Sequence, residues 1–269
     1  MLLKILCVGD VVGAPGRRIL AQALPGLTTE HGIDCNIVNA ENAASGSGLT
    51  PALYDKLVGC GVQLITMGDH IFRRRDIIAV MEQSECIVRP ANFSPQAPGR
   101  EFAVYQTASG HRVAVVSLMG RLYMRVQADC PFRTIDRVLA AIPDDVHAIV
   151  VDMHAEATSE KVAMGWHLDG RVSILFGTHT HIPTADECIL PGGTAYITDL
   201  GMTGPYDSVL GRDKQRVLGS LLSSVPRPFD VASNDVRLCG ILVEVETDTG
   251  RAKSIQRIRF NGDADETPA

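Results

Sequence analysis

Five short apolar runs in this chain each end, within a few positions, in side chains of the types that bind metal ions. These side chains are Asp10, Glu41 with Asn42, Asp69 with His70, His154, and His179 with His181. Carboxylate, amide and imidazole groups gathered in one place can hold two divalent cations, which polarise a substrate and acidify a bound water molecule. The chemistry that these residues indicate is hydrolysis at a polynuclear metal site.

The elements that must position these residues are strands of a parallel sheet. The runs KILCVG, CNIVNA, VQLITMG, AIVVDM and VSILFGT are short and rich in Val, Ile and Leu, which is typical of buried strands. Ligands of such sheets bind beyond the carboxyl ends of the strands. Five strands that deliver metal-ligand side chains to the same edge therefore predict one shared site.

Helix and strand signals alternate through most of the chain, which predicts an α/β fold. Helices are expected over residues 17–24, 51–59, 71–83, 134–142, 159–167 and 213–223, and further strands over residues 113–120 and 194–201. The first helix should stop at Pro25. Segments 238–246 and 253–260 alternate around an Asp-Thr-Gly turn, which predicts a hairpin. We predict a single domain over residues 1–269, with a frayed tail at residues 261–269.

Each cluster also has an ordinary explanation. Asp10 and Asp69 could cap the helices that follow them, and Glu41 could be a solvated carboxylate in a turn. His179 and His181 would share one face of an extended segment and so bind adjacent metals, although a histidine pair alone is more often part of a core or a surface. Five coincidences, each at the end of a strand, are harder to accept than one site.

His154 has acidic neighbours in the sequence, and a purely structural role of this cluster in the core would explain them poorly. It follows an aliphatic strand and stands between Asp152 and Glu156. Acidic side chains are seldom buried unless they are paired or bind a metal. The remaining histidines have no such setting, and we interpret them as structural or surface residues: His31, His111, His147 and His167.

Composition and charge argue against several classes of protein. The formal net charge of −6 disfavours electrostatic binding to nucleic acid or to anionic membranes. No stretch approaches the roughly 20 apolar residues of a membrane span, and the start of the chain lacks the apolar region of a signal peptide. The seven cysteines are scattered without a CxxC motif, which fits a reducing cytoplasm. We therefore expect a cytoplasmic protein with no membrane partner and no stable nucleic-acid complex.

The order of the ligand residues resembles the signature of the calcineurin-like metallophosphoesterase superfamily. The resemblance lies at Asp10, Glu41, Gly68-Asp69-His70, His154 and the GTHTH motif of residues 177–181. More closely, GDVVG, NAENA, MHAEATSEK, GTHTHIPTAD and GMTGPYDSVLG are similar to segments of its YmdB-like bacterial branch. This resemblance implies a four-layer α/β/β/α sandwich, a dinuclear metal centre and phosphodiesterase activity on cyclic nucleotides, notably the 2',3'-cyclic monophosphates.

Two positions depart from the pattern of the wider superfamily. The usual first motif is Asp-x-His, but Val12 stands two residues after Asp10, and we expect Asn42 to replace the missing imidazole. The usual Gly-Asn-His reads Gly-Asp-His, so Asp69 puts a carboxylate where an amide ligand is typical. The additional negative charge should hold the metals more tightly and make the centre a weaker Lewis acid.

The resemblance and the ligand types together suggest a role for each residue. Glu41 would bridge two divalent transition-metal ions, one held also by Asp10, Asn42 and His181, and the other by Asp69, His154 and His179. Imidazole ligands suit transition metals better than magnesium or calcium, and we expect iron or manganese, with zinc or cobalt as alternatives. A water molecule bridging the ions would be the nucleophile, and His70 would bind phosphate and protonate the leaving oxygen.

Two other functions stay open. A metal-dependent amidohydrolase would also use an HxH motif, but barrel amidohydrolases usually carry it on their first strand, whereas it comes late in this chain. A non-catalytic regulatory protein could use the site to hold a nucleotide or a protein partner, although the complete ligand set with His70 argues for catalysis. The expected partner is a small phosphodiester or cyclic-nucleotide substrate. The native metal, the physiological substrate and the oligomeric state, a homo-oligomer included, are left undecided.

Overall fold

The computed structural model describes residues 1–262 of the protein. Strands run over β1 Leu2–Val8, β2 Cys35–Asn39, β3 Leu64–Thr66, β4 Ile87–Val88, β5 Phe102–Gln106, β6 Arg112–Met119, β7 Ala148–His154, β8 Ile174–Thr178, β9 Cys188–Ile189, β10 Ala195–Ile197, β11 Gly204–Pro205, β12 Val236–Glu246 and β13 Ala252–Asn261. Helices run over α1 Gly13–His31, α2 Pro51–Gly59, α3 Ile77–Gln83, α4 Pro131–Leu139, α5 Thr158–Leu168 and α6 Lys214–Ser223, with a short 3-10 helix at Ile71–Arg73. Within residues 1–262, none of these helices combines the length and the apolar character that crossing a bilayer requires.

The strands form two sheets with parallel centres. In the first sheet the order is β11-β12-β1-β2-β3-β4, with β13 paired to β12, and β1 to β4 are parallel to one another. In the second sheet the order is β5-β6-β7-β8-β10-β9, and β6, β7, β8 and β10 are parallel. Helices connect most of the parallel neighbours, because such pairs need a crossover. The predicted C-terminal hairpin is confirmed as the antiparallel pair β12 and β13.

Alternation of side chains along the strands creates three apolar layers. In β1, Ile5 packs between the two sheets while its neighbour Leu6 packs against helices, and Val150 and Val151 of β7 divide in the same way. Helices α1, α2 and α3 cover the outer face of the first sheet, and α4 and α5 cover that of the second. The fold is a four-layer α/β/β/α sandwich, as the resemblance implied.

Helix α1 extends further than the sequence predicts. Pro25, expected to stop it, lies inside the helix, which continues to His31. Proline removes one helical hydrogen bond, but Leu20 and Leu24 are fully buried in the layer against the first sheet, so tertiary packing holds the helix together. The helix ends instead at Gly32, whose φ of 62° is a left-handed conformation that glycine adopts without strain.

Other predicted boundaries also differ from the structure, among them those of the helix at residues 71–83 and of the tail at Asn261. The helix expected over residues 71–83 is split into the 3-10 helix and α3, since Arg74 between them is extended, with φ −117° and ψ 100°. A Cβ on Gly48 would lie 3.2 Å from the backbone nitrogen of Arg74, so close packing against that loop overrides the local helix pattern. Asn261, expected to begin a frayed tail, is the last residue of β13 and pairs with Arg237, whereas residues 263–269 lie outside the described residues.

Candidate metal centre

The carboxyl ends of five parallel strands carry the residues singled out in the sequence. In the first sheet, β1 is followed by Asp10, β2 by Glu41 and Asn42, and β3 by Asp69 and His70. In the second sheet, His154 is the last residue of β7, and β8 is followed by His179 and His181. Contacts shorter than 4 Å link all eight residues into one cluster at this edge of the sandwich.

Four of these residues form a compact group around the imidazole of His154. Its Nε2 lies 3.2 Å from Oδ1 of Asp69, 3.3 Å from Oε2 of Glu41 and 3.1 Å from Nδ1 of His179. One ligand atom from each of the four lies within 4.8 Å of the others. Two carboxylates and two imidazoles at these separations can hold a metal ion.

A second group adjoins the first through Glu41. The Nδ2 of Asn42 lies 2.8 Å from Oε1 of Glu41 and 3.1 Å from Nε2 of His181. The same nitrogen of His181 lies 3.8 Å from Oδ1 of Asp10. Glu41 therefore faces the first group with one carboxylate oxygen and the second group with the other.

Negative charge is buried at this cluster beside imidazoles. Asp10 and Glu41 are at most 1% exposed. Burial raises the pKa of Asp10 well above its usual range, and its Oδ1 has no hydrogen-bond partner among residues 1–262. Burial also raises the pKa of Glu41, but His154 and His70 together lower it by more than burial raises it, so that the net shift is downward. An unpartnered carboxylate oxygen in such a setting is what a bound cation would satisfy.

His154 and the carboxylates around it shift one another's pKa strongly. Burial alone would lower the pKa of His154, but the charge of Glu41 and the hydrogen bond to Asp69 raise it to about 10. Burial raises the pKa of Asp69, yet hydrogen bonds from His154 and His179 hold it well below its usual range. The carboxylates thus attract a proton onto His154, and a metal ion that replaced that proton would be held by the same attraction. The donor set fits a divalent metal.

The imidazoles have outer partners that orient them. Thr178 Oγ1 lies 2.8 Å from Nδ1 of His154, Glu156 Oε2 lies 3.3 Å from Nε2 of His179, and the Leu210 carbonyl lies 3.0 Å from Nδ1 of His181. In each ring the other nitrogen faces the cluster. An outer partner of this kind fixes the ring and leaves the inward nitrogen available to a metal.

Gly68 lets the backbone after β3 pass close to the ligand atoms. A Cβ at this position would overlap Oε2 of Glu41 and Nε2 of His154. Any side chain would therefore displace both ligand atoms. The glycine keeps open the space at which the two strand ends converge.

The His179-Thr180-His181 segment is not extended as the sequence predicts. Strand β8 ends at Thr178, and His179 and His181 have φ angles of 94° and 65°, in the left-handed region. Their imidazoles consequently face different groups. Left-handed backbone at non-glycine residues persists only where surrounding contacts hold it, and it is common at functional sites.

Asp199 holds this strained segment. Its Oδ2 accepts hydrogen bonds from Oγ1 of Thr180 at 2.8 Å and from Nζ of Lys161 at 2.7 Å, and its Oδ1 accepts one from the backbone N–H of Gly201 at 2.8 Å. Both members of the Lys161–Asp199 ion pair are 1% exposed. This buried pair ties α5 to the loop that carries the two histidines.

His70 lies beside both groups. Its Nδ1 is 2.8 Å from Oδ1 of Asn42, and its backbone N–H donates to Oε2 of Glu41 at 3.1 Å. The ring is 28% exposed, more than any other side chain of the cluster. A partly exposed imidazole anchored through one nitrogen can contact a bound substrate.

The alternative roles of Asp10 and Asp69 as helix caps are wrong. Val12 is the N-cap of α1 and His70 is the N-cap of the 3-10 helix, and neither has a side-chain cap hydrogen bond within residues 1–262. Asp10 instead accepts a hydrogen bond from the backbone N–H of His179 at 3.2 Å. The burial of Glu41 likewise contradicts a solvated carboxylate in a turn.

Sequence reasoning does not identify the groups that orient the ligands. Thr178 lies inside the GTHTH motif, where its hydroxyl has no evident role, and Leu210 acts through a backbone carbonyl that any residue provides. Asp199 could have been identified from the sequence, because it follows β10 in the same way that the ligand residues follow their strands. An acidic residue at a sixth strand end indicates a connection with the same site.

Comparison with known proteins identifies the family to which the chain belongs. The profile of the YmdB-like protein family matches residues 6–258, and the chain belongs to this family. The chain is 42% identical over 261 residues to the 2',3'-cyclic-nucleotide 2'-phosphodiesterase of Bacillus subtilis (strain 168), covering 97% of this chain and 98% of that protein.

Two crystal structures are similar along nearly the whole chain. A hypothetical protein from Thermus thermophilus is 37% identical with a TM-score of 0.89, covering 96% of this chain and 99% of that one. A novel phosphatase from Mycoplasma pneumoniae is 33% identical with a TM-score of 0.90, covering 98% of this chain and 95% of that one. The sandwich architecture is therefore shared with solved relatives.

We expect Lys161→Met to lower the free energy of unfolding by about 3–5 kcal/mol, because Asp199 would keep a buried charge without its partner. The matched control is Lys253→Met, which removes a partly exposed partner of Glu246 at 3.1 Å and should cost at most about 1 kcal/mol. Denaturant unfolding of both variants measures the difference. Equal losses would contradict the anchoring role of the buried pair.

Proposed function

We propose that this protein is a metal-dependent phosphodiesterase that hydrolyses small phosphodiesters, with 2',3'-cyclic nucleotides as its natural substrate class. The observation that carries the proposal is the group of Glu41, Asp69, His154 and His179, whose ligand atoms lie within 4.8 Å of one another. The similarity to the cyclic-nucleotide phosphodiesterase of Bacillus subtilis along nearly the whole chain supports the substrate class.

We assign the cluster to two divalent ions that share Glu41. Asp69, His154 and His179 would hold one ion, and Asp10, Asn42 and His181 the other. The shared role is supported by the two oxygens of Glu41, since each faces a different group. The amide nitrogen of Asn42 now faces His181, whereas a metal ligand must present the amide oxygen there. A half-turn of the amide about its bond to the side chain exchanges the two atoms.

Bound ions would supply Lewis acidity toward the phosphoryl oxygens and acidify a water molecule held between them. Imidazoles in the donor set support transition metals, with iron or manganese expected first and zinc or cobalt as alternatives. The chain's own residues hold the ligand atoms at fixed separations and keep bulk water away from Asp10 and Glu41. They also place His70 beside the cluster.

We assign His70 to binding the phosphate group and to protonating the leaving oxygen. Its backbone is held by Glu41 and its Nδ1 by Asn42, so the ring has a fixed place at the edge of the cluster. Its side chain is exposed enough to meet a substrate from solution. A positioned imidazole in such a place is suited to general acid catalysis.

We propose the cytoplasm as the location of the protein, on the strength of the scattered free cysteines. A single domain over the whole chain stays a prediction, and the oligomeric state, a homo-oligomer included, stays open. The expected partners are the substrate and the two ions, with no stable nucleic-acid complex and no membrane partner.

The function is tested by loading purified protein with Mn²⁺, or with Fe²⁺ without oxygen, and assaying three substrates. We expect hydrolysis of 2',3'-cyclic AMP and of bis(nitrophenyl) phosphate, and no hydrolysis of a nitroanilide amide. Turnover of the amide alone would indicate an amidohydrolase. Binding of the cyclic nucleotide without any turnover would indicate a regulatory binding protein.

Glu41→Ala should lower metal content at both positions and abolish hydrolysis, because both ions lose a shared ligand. His179→Ala and His181→Ala are the controls, and each should mainly empty one position. Elemental analysis after gel filtration measures the content. Two ions per chain retained in the Glu41→Ala protein would rule out the shared role.

His70→Ala should leave the metal content near normal and lower kcat by about 10²–10⁴, the usual contribution of a general acid. A nitrophenyl ester, whose leaving group needs little protonation, should be affected much less than a nucleotide substrate. Comparing kcat on the two substrates checks the role. Equal losses on both would remove His70 from the acid step.

Asp69→Asn restores the amide that is usual in the wider superfamily and should weaken metal binding, because an anionic oxygen is exchanged for a neutral one. Activity at saturating metal should survive and can rise, since a less neutralised cation acidifies its water more strongly. Titration of metal into both metal-free proteins while turnover is followed makes the comparison. Superimposable curves would show that Asp69 is not a ligand.

A further inference from the structure

Asp152 is a buried acidic residue for which the proposed function has no role. It lies two residues before His154 and is 0% exposed. Its carboxylate accepts hydrogen bonds from Oγ1 of Thr66 at 2.5 Å, from Oγ1 of Thr178 at 2.6 Å and from Nδ2 of Asn39 at 2.9 Å. Two of these donors belong to the first sheet and one to the second, so Asp152 joins the sheets behind the metal centre.

The directions of these hydrogen bonds follow from the number of protons available. A threonine hydroxyl has one proton, and Thr178 gives it to the carboxylate of Asp152. The same oxygen lies 2.8 Å from Nδ1 of His154 and must therefore accept there. His154 accordingly carries a proton on Nδ1, and its Nε2, which faces Asp69 and Glu41, is free of the proton in the neutral ring.

Without Thr178 Oγ1 as an acceptor at Nδ1, the single proton of a neutral His154 could lie on Nε2 instead. The oxygens of Asp69 and Glu41 lie 3.2 Å and 3.3 Å from Nε2, and both would accept a proton placed there. A cation would then have to displace that proton before it could bind. In the neutral ring, the hydroxyl of Thr178 removes this competition, and Asp152 determines which way that hydroxyl points. A cation then has to displace only the second proton that the carboxylates attract onto the ring.

Asp152 also acts on Glu41 by a second route. The amide of Asn39 donates to Asp152 through Nδ2 and accepts the backbone N–H of Glu41 through Oδ1 at 3.2 Å. The amide is thereby fixed at both ends. One buried carboxylate is connected to a ligand of each sheet, through Thr178 to His154 and through Asn39 to Glu41.

We propose that Asp152 is a positioning residue of the metal centre, which acts through Thr178 to keep a proton on Nδ1 of His154 and so leave Nε2 open to a cation. The inference deepens the proposed function and rests on it only in that a cation binds at this group. Outer partners of metal-binding histidines typically change metal affinity by about 10–100-fold.

The test uses Thr178→Val, which keeps the shape of the side chain and removes the hydroxyl, and Thr178→Ser, which restores the hydroxyl. The matched control is Thr194→Val, because Thr194 is also fully buried and its hydroxyl donates only to backbone groups, at Val172 and Leu168, away from the cluster. Zn²⁺ affinity is measured for each full-length protein by competition with a chromophoric chelator, and stability by denaturant unfolding.

We expect Thr178→Val to lose about 10–100-fold in affinity for one of its two zinc ions, and Thr178→Ser and Thr194→Val to stay near the wild type. Asp152→Asn should lose affinity in the same direction as Thr178→Val, since its amide is a poorer acceptor for the hydroxyl. Unchanged affinity in Thr178→Val, or an equal loss in Thr194→Val, would overturn the proposal.

A second measurement reads the proton itself. In zinc-loaded protein with ¹⁵N-labelled histidine, NMR should show a slowly exchanging proton on Nδ1 of His154, and Thr178→Val should make it exchange faster. A wild-type ring with no proton on Nδ1 would overturn the proposal. Neither measurement uses a substrate. A protein that shows this proton when it is loaded with zinc but hydrolyses no phosphodiester when it is loaded with Mn²⁺ or Fe²⁺ would refute the proposed function and support the positioning role.

Discussion

The burial of Asp10 and Glu41 is the constraint on which the rest of this structure depends. Carboxylates removed from water are costly by several kcal/mol each unless opposite charge replaces the lost hydration. The chain supplies part of that charge with His154 from the opposite sheet, whose pKa is raised to about 10 beside Glu41. Burial lowers the pKa of His181, which faces Asp10, and Oδ1 of Asp10 still lacks a hydrogen-bond partner within residues 1–262. Two cations would complete the compensation, so metal binding follows from the electrostatics of the fold rather than from a separate loop or motif.

The ligand residues are oriented by groups that lie outside the cluster and come from several elements. Strain in the histidine loop is held by Asp199, whose charge is balanced by Lys161 on α5. The orientation of the His181 imidazole depends on the Leu210 carbonyl, and the orientation of the His154 imidazole depends on the hydroxyl of Thr178. Because these contacts join distant parts of the sequence, the geometry of the centre is a property of the whole sandwich.

The sequence predicts the parts of this structure that depend on local pattern. Buried strands followed by carboxylate or imidazole residues can be recognised in the sequence alone. The four-layer sandwich is predicted by the resemblance to the family. The end of α1 is missed, because packing of Leu20 and Leu24 outweighs the local effect of Pro25. The prediction that the HxH segment is extended is wrong for the same kind of reason. Contacts with Asp199, which is 19 residues from Thr180 in the sequence, hold its backbone, and the sequence of the segment itself does not encode them.

The two sheets contribute chemically different halves of the centre. Ends of strands in the first sheet provide the anionic and amide residues Asp10, Glu41, Asn42 and Asp69, and those in the second provide the imidazoles His154, His179 and His181. Apart from His70, which is assigned to the substrate, the first sheet within residues 1–262 brings no imidazole to the cluster, so a cation bound by both kinds of ligand contacts both sheets. Its binding free energy would then add to the packing of one sheet on the other, and the apolar layer that holds the sheets together would in turn determine how well the ligands fit. Stability and metal affinity are therefore coupled through the same interface.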